Sequence, residues 1–69
     1  MGLKLVCVKI PGKLVELMDR SLAYLGLENR SELIRVAIIS YLRINQYLLP
    51  PEIRGEIKTI DLREVIYNA

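Results

Sequence analysis

A chain with a single cysteine, Cys7, and no histidine has neither an intrachain disulfide nor a zinc constellation to staple it. That absence matters most at this length, 69 residues. A lone hydrophobic core of such a chain rarely supplies more than about 3–5 kcal/mol. Self-association is the remaining route to stability. The composition points the same way, being 52% hydrophobic with a mean hydropathy of +0.28. An obligate oligomer is expected.

Several classes are disfavoured by the same residues. The most apolar stretch, residues 33–49, carries Arg35 and Arg43, so no membrane span is expected. Residues 3–10 are too short for a signal core, and Val6 stands where a myristoylation motif wants Ser or Thr. Without histidine, a base near neutrality would have to be a perturbed acid, a lysine or Cys7, and nothing places such groups together. The expectation is a reduced, cytoplasmic protein that is not an enzyme and takes no cofactor or metal. Charge is uneven: residues 1–47 carry net +3 and residues 48–69 net −1. A dimer would double the first figure, which permits a polyanionic partner.

Three periodicities follow one another. Residues 3–10 are rich in branched side chains and stop at Pro11-Gly12, which predicts a strand. Leu14, Leu17, Met18, Ser21, Leu22 and Leu25 predict an amphipathic helix that opens near Pro11 and ends at Gly26. Leu33, Ile34, Ala37, Ile38, Tyr41 and Leu42 predict a second helix. Asn29 caps it, with Ser31 as the competing cap and Glu32 completing a capping-box-like pair. It must end before Pro50-Pro51. Leu14, Leu17, Met18, Leu22, Ile34, Ile38 and Leu42 form the expected core, with Arg35 and Arg43 as surface charges. Residues 1–49 make up one domain, and residues 50–69 a C-terminal extension. In the extension Asp61 could cap a short helix, and residues 56–60 could equally form a strand.

A single strand cannot satisfy its own backbone groups. Pairing the strands of two chains antiparallel across a two-fold axis is the economical answer, and a two-stranded ribbon fits the major groove of B-DNA. The strand, Lys9-Ile10-Pro11, a short helix, Gly26-Leu27 and Asn29-Arg30-Ser31-Glu32-Leu33-Ile34-Arg35 together resemble the ribbon-helix-helix family of DNA-binding proteins, the MetJ, Arc and CopG class. The resemblance spans roughly residues 3–48. It implies an α+β, mostly α fold in which an intertwined homodimer inserts its ribbon into duplex DNA as a transcriptional repressor. Val6, Val8 and Ile10 would then be buried, and Leu5, Cys7 and Lys9 would face the bases. Lys13 and the turn Asn29-Arg30-Ser31 would contact phosphate. Leu5 and Cys7 depart from the polar base-reading face usual in that family, which leaves Lys9 as the one polar reader. Two other functions stay open: an antitoxin whose C-terminal extension binds a toxin, and an oligomerisation module without DNA binding that forms assemblies larger than dimers. An all-helical hairpin dimer is a further architecture, but it leaves the branched run 3–10 without a purpose.

Overall fold

In a computed structural model, residues 4–67 are described. Four helices follow one another: α1 (Gly12–Leu25), α2 (Arg30–Ile44), α3 (Pro51–Lys58) and α4 (Leu62–Tyr67), with a 3-10 turn at Gln46–Leu48 between α2 and α3. Among the described residues there is no strand. The expected ribbon-helix-helix architecture is therefore corrected to a small all-helical one. The physical reason lies in pairing. Branched side chains favour extended backbone, but a strand exists only against a partner, and among the described residues no second segment offers an edge. Residues 4–10 consequently run outside any regular element, and Leu3, the expected start of the strand, lies outside the described residues.

Local chemistry explains where each helix begins and ends. The Pro11 carbonyl accepts from the amides of Leu14 and Val15, and the proline stands just before α1, not inside its first turn. At the other end Gly26 adopts φ 72°, while Leu27 N–H reaches the Leu22 carbonyl at 2.9 Å and Gly26 N–H the Ala23 carbonyl at 3.3 Å. This is a Schellman termination, and glycine supplies the left-handed residue at least steric cost. Asn29, not Ser31, caps α2: its Oδ1 accepts from Glu32 N–H at 2.9 Å. Glu32 Oε2 in turn accepts from Glu28 N–H at 2.8 Å, so the buried carboxylate and the cap satisfy two free amides at the positive helix end. Leu49 is extended before Pro50, as a residue preceding proline must be, and Pro51 starts α3. Residues 56–58 belong to α3, which removes the strand alternative there. Asp61 Oδ1 accepts from Arg63 N–H at 2.9 Å and opens α4.

α2 is the central element, with α1, α3 and α4 all packed against it. The described core is correspondingly thin: Ile39 of α2 and Ile57 of α3, each 4% exposed, are its buried apolar side chains. The expected core is corrected here. Ile38 is 56% exposed, Leu14 and Leu17 are about as open, and Met18, Leu22, Ile34 and Leu42 are half-buried. Val6 and Val8, expected inside, are exposed as well. A 7.9 kDa chain leaves 6070 Å² accessible, against about 4,400 Å² for a folded monomer of that mass. The surplus, about 1,700 Å², is about twice what one protomer loses in a standard-sized interface and falls in the range of an obligate homodimer.

Candidate nucleic-acid interface

The N-terminal segment carries three of the expected site residues. Leu5, Cys7 and Lys9 are all exposed along it, and Cys7 has a free thiol. No ribbon holds them in alternation, so the structure does not build a base-reading face from them. Lys13 follows in the first turn of α1, also exposed. The sequence has no acidic residue before Glu16, and among the described residues none of Lys4, Lys9 and Lys13 makes an ion pair.

At the start of α2 the expected phosphate contacts divide by what each side chain already does. The Asn29 side chain is committed to the cap. Arg30 grips Asp19 of α1 with both arms of its fork, Nε to Oδ1 at 2.8 Å and Nη2 to Oδ2 at 2.7 Å. That bidentate pair ties α1 to α2 and offsets the Arg30 charge. Ser31 stays exposed. It lines a cavity of about 380 Å³ that lies between residues 4–6 and the α2 side chains of Ile34, Arg35 and Ile38.

The Asp19–Arg30 pair also sets a pH dependence. Hydrogen bonds from Arg30 hold the Asp19 carboxyl below the ordinary aspartate value; slight loss of water opposes this, and the Arg30 charge adds to the lowering. The same pairing raises Arg30. A depressed folded-state pKa stabilises above the unfolded value of about 3.9 and loses that contribution as pH falls through the folded value. Thermal melts of Asp19→Asn should therefore lie slightly below wild type at pH 7 and converge with it as the pH falls through the folded-state Asp19 value. The pair is exposed, so the difference should also shrink in high salt. A gap that persists at the acidic end would assign the effect to packing instead.

Two residues expected as surface charges behave differently. Arg35 Nε donates to the Val65 carbonyl of α4 at 2.6 Å, and Arg43 Nη2 donates to the Ile60 carbonyl after α3 at 2.8 Å. Both are half-buried. They bind the C-terminal extension along α2, either side of Ile39. The signal was present in the sequence as Arg35, Ile39 and Arg43 at four-residue steps, two cations flanking an apolar residue on one helix face. The facing carbonyls are a tertiary matter.

On another face of α2, Ile34, Ile38 and Tyr41 form a stripe continued by Ile44, with Ile38, Tyr41 and Ile44 exposed. Among the described residues no helix is long and apolar enough to cross a membrane, and no cluster of acidic or cysteine side chains is arranged to hold a metal. No protein-family model matches the chain, and neither a curated protein nor a solved structure does.

Proposed function

We propose that this protein is a cytoplasmic, homodimeric regulator of transcription that binds duplex DNA and represses by occupying its site. The observation that carries the reading is the N-terminal segment. Lys4, Lys9 and Lys13 are exposed, make no ion pair among the described residues and have no acid before Glu16. Backbone phosphate is the partner that such a segment suits, and phosphate contacts dominate the affinity of DNA-binding proteins. Pairing two copies through the Ile34–Ile38–Tyr41–Ile44 stripe covers surplus apolar surface and doubles the cationic segments. No base-reading face is built from Leu5, Cys7 and Lys9, so the three lysines act on phosphate and discrimination between sites is coarse. Ser31 adds a phosphate contact, while Arg30 contributes less because Asp19 already holds it.

The C-terminal extension supports a structural role over a toxin-binding one. It lies folded on α2 within the single chain, with Ile57 buried and two arginines bonded to its carbonyls. The test of the DNA reading is a duplex titration of a variant with Lys4, Lys9 and Lys13 all changed to Gln. Affinity should fall by at least about a hundredfold, and the salt slope should shrink by about five for a dimer. Unchanged binding with an unchanged slope would remove the segment from the interface.

A further inference from the structure

We infer that two copies of the chain pair their α2 helices antiparallel about an axis beside Ile38, each copy seating its Tyr41 in a hollow of the other. The inference rests on the homodimer proposed above and specifies which side chains meet in it. One face of α2 carries both halves of such a joint. Toward its N-terminal end, Ile34 and Ile38 together with Leu5 and Val6 wall an open hollow of about 380 Å³, with Ser31 also lining it. Toward its C-terminal end Tyr41 and Ile44 stand 70% and 74% exposed. An apolar cavity of about 150 Å³ already takes a benzene ring, so a phenol ring fits the hollow.

The register follows from the spacing. Of the α2 residues, those lining the hollow run from Ser31 to Ile38, so its centre lies near Ile34 and Arg35. Tyr41 stands about 10 Å further along the helix, at about 1.5 Å per residue. The point midway is Ile38, close to the middle of α2. A two-fold axis there lays each Tyr41 over the hollow of the other copy and pairs the two helices along their whole length. A parallel pairing would set hollow against hollow and leave both unfilled. Residues 36–42 contain no charged side chain, so the copies meet there without like-charge repulsion. Tyrosine suits the hollow at both ends. Its ring meets the apolar walls, and its O–H donates to the Ser31 hydroxyl, whose own proton stays free for phosphate. A second copy is the occupant because the surplus of accessible surface is what an obligate homodimer covers. The joint has a consequence for the N-terminal segment. Leu5 and Val6, 93% and 81% exposed in the single chain, are covered when Tyr41 enters, so assembly holds the cationic segment against α2.

The experiment is disulfide trapping of the full-length protein in a Cys7→Ser background, paired with isotope-filtered NMR on a half-labelled sample. Ile38→Cys should cross-link to its own copy, because the two residues face each other at the axis. Ile34→Cys should not, since it lies about 12 Å along the helix from its mate, beyond disulfide reach. Intermolecular NOEs should join the Tyr41 ring to the methyl groups of Val6 and Ile34. Tyr41→Ala should weaken the dimer by at least about thirtyfold, and Tyr41→Phe by much less. The NMR contacts are read without changing any residue on α2, so a folding defect in a variant does not shelter the idea. A dimer without the Ile38→Cys cross-link and without Tyr41–Val6 contacts would overturn the joint and leave the homodimer standing. A monomeric wild type would overturn both. The expected contacts without duplex binding would support the joint and end the DNA reading alone.

Discussion

Ile39→Ala is expected to lower stability by about 3 kcal/mol, which in a chain this short corresponds to a fall of about 15–20 °C in Tm. Ile39 is one of the two buried apolar side chains described and lies on the α2 face covered by the extension. Its truncation opens a cavity that a core of two residues cannot repack. Leu14→Ala supplies the contrast. That side chain is 49% exposed, so within one chain its loss should cost under about 1 kcal/mol. Circular-dichroism melts of both variants at one protein concentration check the ranking. Equal losses would mean that the core follows the α1 stripe and not the contact between α2 and the extension.

The second large effect concerns the open stripe. Changing Ile38 and Tyr41 together to Asp should weaken the proposed dimer by more than about a hundredfold, because unpaired carboxylates would be buried at its centre. Wild-type Tm should rise with protein concentration, as expected when folding and association are coupled. The variant should lose that dependence and sediment as a monomer. A wild type that is itself monomeric at high concentration, or a variant that still dimerises, would move the interface elsewhere. The surplus of accessible surface would then need another partner.

Sequence reading succeeded where the determining chemistry is local. Gly26 ends α1 because a left-handed residue is needed there, Asn29 and Glu32 open α2 through adjacent amides, and Pro50 forces Leu49 out of helical geometry. Each of these acts over a few residues. The run 3–10 misleads because its branched side chains record only a preference for extended backbone, whereas a strand depends on a partner that the described residues do not supply. The core was misplaced for a related reason. Periodicity identifies an apolar face but not what covers it, and the face covered within the chain is the one with Ile39, not the one with Ile38. Arg35 and Arg43 read as surface charges in the sequence because their partners are carbonyls of a segment that folds back from more than fifteen residues away.

Of the candidate site, residue type alone makes Lys9, Lys13 and Ser31 readable as polar side chains, and all three stand exposed, whereas the Asp19–Arg30 pairing depends on how α1 docks against α2. Arg30 therefore changes from an expected phosphate contact to a tie between helices.

The most direct measurement is a titration of the wild-type protein against a mixed-sequence duplex at low and at fourfold higher salt, with its mass followed by light scattering. Dimers whose affinity drops by about a thousandfold across that change are predicted, the loss expected for about six phosphate contacts from paired N-terminal segments. Absence of binding at low salt, with the protein monomeric or in larger assemblies, would contradict the account.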